Sequence, residues 1–281
     1  MNLKVIAYAR NGHTDKFGIP RQSRDESPIL TRIVFEPEFA VQEALRGIEG
    51  YSHLWLIWGF SRSFSSHTSS STAWHEVLGD ARSPQKIEIS GDPNKLEWSP
   101  TVRPPRLGGN KRMGVFATRS PFRPNPIGLS SVKLIGIQPS AVSHQLELLV
   151  SGADVLDGTP IYDIKPYLSF SDSHEEAKNG FADETKDYHL AVDWGEFSAG
   201  EQILNTLMTR EWFENGSRTV RERCDEVLAK WMRDVEYILS QDPRPAYQDD
   251  PEREYKLDYA GFTITFIVDG QTVHVKKIQK I

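Results

Sequence analysis

The chain has 281 residues, 38% hydrophobic and 26% charged, which is enough for one large globular domain or two ordinary ones. A formal net charge of −6 and an isoelectric point near 5.8 exclude indiscriminate coating of nucleic acid, and the single cysteine, Cys224, excludes an internal disulfide framework. No apolar run approaches membrane-spanning length, and the opening Met-Asn-Leu-Lys-Val-Ile-Ala-Tyr-Ala-Arg turns polar too quickly for a signal peptide, so a cytoplasmic protein in a reducing compartment is expected.

Residues 3–9 read as a strand, followed by a polar loop from Arg10 to Ser27, and residues 29–35 read as a second strand. Phe39 to Gly47 fits a short helix ended by glycine. Tyr51 to Phe60 is a continuous apolar run, the pattern of a strand buried on both faces. Residues 64–97 are Ser-rich and polar and read as a surface insertion, with a short strand at 86–89. Val115–Thr118, Ser130–Ile137, Gln145–Ser151 and Ile161–Ile164 read as further strands between Gly and Pro punctuation. Strands without intervening amphipathic helices predict a mainly β fold, an antiparallel sheet or barrel rather than a doubly wound one.

Residues 171–200 are acidic and polar and read as a linker; domains are expected at 1–172 and 201–281. Val220, Cys224, Val227, Leu228, Trp231, Val235 and Ile238 recur at helical spacing, so a long amphipathic helix is predicted, with Cys224 packed rather than reactive. Thr219 and Glu222 are placed for a capping box, and Asp242-Pro243 ends the helix. Phe262–Val268 and Gln271–Lys277 flank Asp269-Gly270, predicting a hairpin with a type I′ turn. The C-terminal third is therefore read as a smaller α+β unit.

Charge is unevenly spread along the chain. Between Glu97 and Glu147 stand seven of the 33 basic residues and none of the 39 acidic ones, so the remainder carries −13. The seven are Arg103, Arg106, Lys111, Arg112, Arg119, Arg123 and Lys133, set among Gly and Pro residues that fix backbone shape. A rigid cationic loop region in an acidic protein is the footprint of a phosphate-bearing or nucleotide-like ligand.

Common chemical signatures are missing. There is no H-x-x-x-H pair, no zinc-ligand spacing, no G-x-S-x-G elbow, no Walker A loop and no dinucleotide fingerprint. His53 reads as a hydrogen-bonded structural histidine, and Trp55 and Trp58 as core. Asn125-Pro126-Ile127-Gly128 shares two residues with the Asn-Pro-Pro-aromatic motif of adenine-N6 methyltransferases but lacks the aromatic, so it reads as a proline-stiffened turn. Asp154 and Asp157 follow a strand, either in an Asp-Gly turn closing a hairpin or as paired acceptors for a ribose, an amine or a cationic centre. Arg119 and Arg123 either brace their loop through carbonyls or meet an external anion.

The strings Arg103-Pro-Pro-Arg-Leu-Gly-Gly-Asn110 and Met113-Gly-Val-Phe-Ala-Thr-Arg-Ser-Pro-Phe-Arg-Pro-Asn-Pro-Ile-Gly-Leu-Ser130 resemble the signature of the TsaA-like family. Asp157-Gly-Thr-Pro-Ile-Tyr-Asp-Ile-Lys-Pro-Tyr167 is similar to its second signature, and Gln241–Tyr247 with the hairpin resembles the C-terminal domain of its bacterial members. The resemblance covers nearly the whole chain outside 64–97 and 171–200. It implies an S-adenosylmethionine-dependent tRNA methyltransferase acting on N6 of threonylcarbamoyl-adenosine 37 in threonine tRNA. It also implies a non-Rossmann β-barrel as the cofactor domain, a homodimer and no metal.

Carried over residue by residue, the resemblance assigns cofactor contacts to Pro20, Arg21, Gln22, Arg119, Leu129, Asp154, Val155, Leu156 and Asp157. Ser61 and Arg62 stand where the family often has His-Gln; backbone contacts survive that change, a side-chain role for the histidine does not. Asp154 and Asp157 are the candidate proton acceptors, and Arg119 orients a carboxylate. Arg103, Arg106, Lys111, Arg112 and Arg123 are the candidate anticodon-loop contacts. A cofactor-binding regulator without catalysis and a purely RNA-binding module are the alternatives.

Overall fold

The computed structural model describes residues 3–20, 22–60, 98–104, 111–140, 146–184, 189–195, 220–244 and 250–281. They fall into two units. The first contains strands β1 (Ala7–Arg10), β2 (Leu30–Phe35), β3 (His53–Gly59), β4 (Thr101–Val102), β5 (Met113–Gly114), β6 (Ile127–Pro139), β7 (Leu146–Ser151) and β8 (Pro160–Pro166). Among the described residues the main sheet runs β1-β2-β7-β6-β3-β8, every pair antiparallel, and β8 also pairs with β1. The mainly β expectation holds.

Because strand side chains alternate, each strand sends every second residue to one shared interior. Ile33, Leu54, Leu56, Val132, Leu148, Val150 and Ile161 are fully buried there. Each contributes on the order of 1.5–3 kcal/mol by leaving water. β3 corrects the reading of Tyr51–Phe60 as buried on both faces. Leu54, Leu56 and Trp58 point inward, while His53, Trp55 and Ile57 are half-buried on the other face. Trp55 escapes water there by packing on Tyr167 at 5.4 Å and donating from Nε1 to Asp172 Oδ2 at 2.8 Å.

Phe39–Gly47 yields a four-residue helix, Gln42–Leu45. Val115–Ala117 is a 3-10 turn rather than the predicted strand: Thr118 N donates to Val115 O (3.1 Å), and only Val115 of the three is buried. β6 is longer than predicted and bulges at Ile135, which has no partner between Leu134↔Val150 and Gly136↔Leu149. The predicted strand at 86–89 and the insertion at 64–97 lie outside the described residues.

The second unit is built from Gly12–Pro20, Asp187–Arg244 and Asp249–Ile281, so its makeup differs from the sequence boundary at 201. Its strands are β9 (Ala191–Asp193), β10 (Tyr255–Tyr259), β11 (Phe262–Asp269) and β12 (Thr272–Lys280), in the order β10-β11-β12-β9. β9 corrects the linker reading: this part of 171–200 pairs in parallel with β12. The predicted helix spans Val220–Ser240 and buries Trp231, Val235, Ile238 and Leu239. Trp231 meets Phe262 edge-on at 5.4 Å. Asp242, at φ 49°, terminates the helix ahead of Pro243, and its carboxylate takes three hydrogen bonds from Arg244, one from the backbone and two from the guanidinium. Thr219 of the predicted capping box lies outside the described residues.

The hairpin forms, with a shifted turn. Asp269 pairs with Thr272, so the two-residue loop is Gly270-Gln271, and only Gly270 has positive φ. Type I′ needs positive φ at both central residues, so the predicted type is corrected. Ala260-Gly261, between β10 and β11, has that conformation instead, at φ 52° and 81°.

Gly12–Pro20 lies with this unit. His13 bridges to Tyr259, and Phe17 packs against Tyr255 and Phe266 at 6.4 and 6.3 Å. Burial pushes the His13 imidazole down from 6.5 to about 4. Between those values the unfolded chain binds the proton and the folded one does not, so stability rises with pH. The contribution is fully present above about pH 6.5 and is lost as pH falls toward about 4, roughly 3 kcal/mol in all. Denaturant titrations at pH 7.5 and 4.5 are expected to show this loss, and His13→Phe to remove most of it. An unchanged pH slope in the variant would refute the assignment.

Candidate active site

Four short segments of the first unit converge on one carboxylate. β3 delivers Trp58 and β6 delivers Ser130, both from inward-facing positions, while the loop after β7 delivers Asp154. Trp58 Nε1 donates to Ser130 Oγ at 2.8 Å. With that lone pair occupied, the Ser130 hydroxyl donates onward to Asp154 Oδ1. The fourth segment, 22–27, lies alongside. Gln22 Oε1 accepts from Arg119 Nη1, the Ser23 hydroxyl donates to the Ser131 carbonyl, and His53 Nε2 meets Asp25 Oδ2 at 3.1 Å.

Gly128 makes this arrangement possible. A Cβ there would stand 2.2 Å from Cε2 of the Trp58 indole, far inside contact distance. Gly152 does a related job, since a Cβ would stand 2.6 Å from the Arg24 carbonyl oxygen.

Burial is the largest influence on Asp154 and raises its carboxyl above 3.8. The Ser130 hydroxyl, backbone amides at Asp154 and Ser23 and the Arg119 charge act against it without reversing the direction. The result is a carboxylate that binds a proton more readily than a solvated one, beside an exposed guanidinium.

The other predicted site residues are placed differently. Asp157 accepts from Asn11 N at 3.1 Å and pairs with Arg10 Nη1 at 3.5 Å. Val155 is buried, and its carbonyl accepts from Asn11 Nδ2 at 3.0 Å; the Leu156 carbonyl accepts from Thr159 N. Residues 155–157 are thus engaged in holding the loop, which leads into β8 between β1 and β3, so no β7–β8 hairpin forms. Leu129, 54% exposed, projects to the opposite face of β6 from Ser130. Pro20 belongs to the second unit. Arg21, Ser61, Arg62 and Arg106 lie outside the described residues.

Of the cationic residues, Arg103, Lys111, Arg112 and Arg119 are exposed. Arg112 braces Thr101 through Nε (2.9 Å) and Nη2 (2.6 Å), and Arg123 Nη1 donates to the carbonyls of Thr118 (2.9 Å) and Ser120 (3.2 Å). Bracing therefore describes Arg112 and Arg123. Sequence reasoning missed Trp58 and Ser130 as site residues. The signal was a small polar residue at an inward strand position, diagonally across from an indole that needed an acceptor.

Among the described residues no three His, Cys, Asp or Glu side chains cluster as a metal site, and no helix is long and apolar enough to cross a membrane.

The fold and site define a strand-built protein whose candidate site holds the desolvated carboxylate of Asp154 beside Arg119. The N-terminal profile of tRNA-methyltransferase O matches residues 8–81 and 79–173, and its C-terminal profile matches 215–281. The chain belongs to the tRNA-methyltransferase O family. It is 36% identical over 255 residues to a putative S-adenosylmethionine-dependent methyltransferase RcsF of Pseudomonas aeruginosa, covering 90% of this chain and 87% of that one. It is 34% identical over 252 residues to a tRNA (adenine(37)-N6)-methyltransferase of Escherichia coli K12, covering 89% and 85%. A crystal structure of TrmO aligns with TM-score 0.65 at 25% identity, covering 99% of this chain and 98% of that one.

Proposed function

We propose that this chain is an S-adenosylmethionine-dependent tRNA methyltransferase acting on N6 of threonylcarbamoyl-adenosine 37 in threonine tRNA. Family membership and the names of its relatives support the reaction class and the cofactor. The observation that carries the reading is Asp154, desolvated and hydrogen-bonded, within the field of Arg119. The β8–β1 pairing, which returns the sheet to its first strand, supports the expected barrel form of the cofactor domain.

The donor set suits a zwitterionic nucleoside. Arg119, steadied by Gln22, provides a cation for a carboxylate, and Asp154 provides an acceptor for an amine, a ribose hydroxyl or an N–H. When bound, S-adenosylmethionine supplies the methyl electrophile. The protein's share is positioning and proton handling. N6 of the substrate bears a carbonyl as well as adenine, which acidifies its remaining N–H. Asp154 takes that proton, with Ser130 and Trp58 fixing its orientation. Asp157 acts one step back, holding the loop against β1. Arg103, Lys111 and Arg112 face the anticodon-loop phosphates, so binding weakens steeply with salt. Position 37 lies in a single-stranded loop, where the base is reached without opening a duplex. A homodimer and a cytoplasmic location complete the reading on the family resemblance.

The test is labelled S-adenosylmethionine with threonine tRNA, with and without the threonylcarbamoyl group. Label on adenosine 37 only when the group is present is expected. Equal labelling of both tRNAs would remove the substrate assignment, and no labelling with cofactor binding intact would favour a regulator. Arg119→Ala is expected to weaken cofactor or tRNA binding roughly tenfold to a hundredfold, the loss of a charge-assisted contact. As Arg119 is exposed, the stability of the variant should stay within about 0.5 kcal/mol of native. Unchanged KM values for both substrates would remove Arg119 from the site.

A further inference from the structure

We infer that Phe116 is a stacking platform for an unpaired base of the RNA loop, a positioning residue for the proposed reaction on whose reading this inference rests. Phe116 is 74% exposed, in a stretch of chain without acidic residues. Single exposed hydrophobes are ordinary on protein surfaces, but the backbone that carries this ring is held in place. It sits in the middle of the 3-10 turn Val115–Ala117, which is pinned at Val115 by core burial and by Val115 N donating to Pro100 O at 3.0 Å. With Val115 turned inward, the next side chain is delivered to solvent.

One side of the ring is already furnished. The guanidinium carbon of Arg123 lies 6.0 Å from the Phe116 centroid, and the two carbonyl hydrogen bonds of Arg123 keep it there. A fixed cation beside an aromatic ring, three residues before the exposed Arg119, combines what single-stranded RNA sites use: a π-face for a base and positive charge for its phosphates. A protein partner would be served by the apolar face alone. The bracing of Arg123 and the absence of local acid favour RNA. Because the turn that carries the ring is fixed before binding, little backbone freedom is lost when a base settles on it.

The experiment is binding of a threonine-tRNA anticodon stem-loop by native protein, Phe116→Ala and Phe116→Trp, with methyl transfer measured alongside. Phe116→Ala is expected to weaken RNA binding about five- to a hundredfold. Phe116→Trp should restore it and show indole quenching on binding, and the cofactor affinity should not move. The slope of log K against log salt should be unchanged in Phe116→Ala, as no charge is removed, and shallower in Lys111→Gln. Native-like binding by Phe116→Ala, or no quenching in Phe116→Trp, overturns the stacking role while leaving the methyltransferase reading intact. Failure of native protein to bind the stem-loop overturns both.

Discussion

Asp154→Asn is expected to reduce the methyl-transfer rate roughly a hundredfold to ten-thousandfold, the range spanned by a positioned general base. The amide keeps an oxygen to accept from Ser130, so the link to Trp58 survives and the chemistry alone is removed. In the native protein the rate should fall as pH drops through the raised Asp154 value, above 3.8, and the variant should lack that limb. Stability should move the other way. A group whose folded pKa is raised favours the fold when protonated and loses that contribution as pH rises. With its folded value raised by burial, Asp154 therefore contributes less to stability at neutral pH than in acid, and Asp154→Asn should be as stable as native or more so. Single-turnover rates across pH, with calorimetric cofactor binding and thermal melts, check all of this. A variant whose rate recovers fully at saturating cofactor would mean that Asp154 holds the cofactor and takes no proton.

Gly128→Ala is expected to damage fold and activity together. The new methyl group occupies the volume of the Trp58 indole, which is 7% exposed and enclosed by core, with Phe60 at 4.4 Å. Overpacking of this kind costs about 1–3 kcal/mol. If the indole moves, Ser130 loses the donor that commits its hydroxyl to Asp154, so methyl transfer falls beyond the loss of folded protein. Gly136→Ala is the control: nothing lies within 4 Å of its added carbon. Thermal melts, tryptophan fluorescence and activity per folded molecule make the comparison. Gly128→Ala melting and turning over like Gly136→Ala would show that the indole has room to spare.

Strand positions of the first unit were readable where short runs rich in Leu, Ile and Val stand between turn residues, as at 29–35 and 146–151. Tyr51–Phe60 misled because the outward Trp55 and Ile57 are also large and apolar, and Trp55 takes its shelter from Tyr167 and Asp172, more than a hundred positions later. Val115–Thr118 has strand-like composition, yet its Val115 amide bonds to Pro100, a long-range choice invisible to local propensity. Ala191–Asp193 was hidden among acids because an edge strand needs only backbone pairing. At the site, Asp154 and Arg119 were legible as charged residues in a Gly- and Pro-rich setting. What separates Asp154 from Asp157 was not: that depends on Asn11 and Arg10 capturing one and Ser130 the other.

The placement of Gly12–Pro20 bears on how this polypeptide matures. The second unit closes its apolar face with Phe17 against Tyr255 and Phe266, and with Gly18 against Leu257, so residues that precede most of the first unit complete a structure whose strands follow it. A nascent chain holds that segment waiting while the first unit is made, and loop-closure entropy opposes its docking until β10 and β11 emerge. Cutting the gene at the apparent boundary near 187 would leave the carboxyl-terminal third without His13, Phe17 and Gly18. The two units are thereby tied into one heritable piece, less free to be shuffled onto other proteins than their separate sheets suggest.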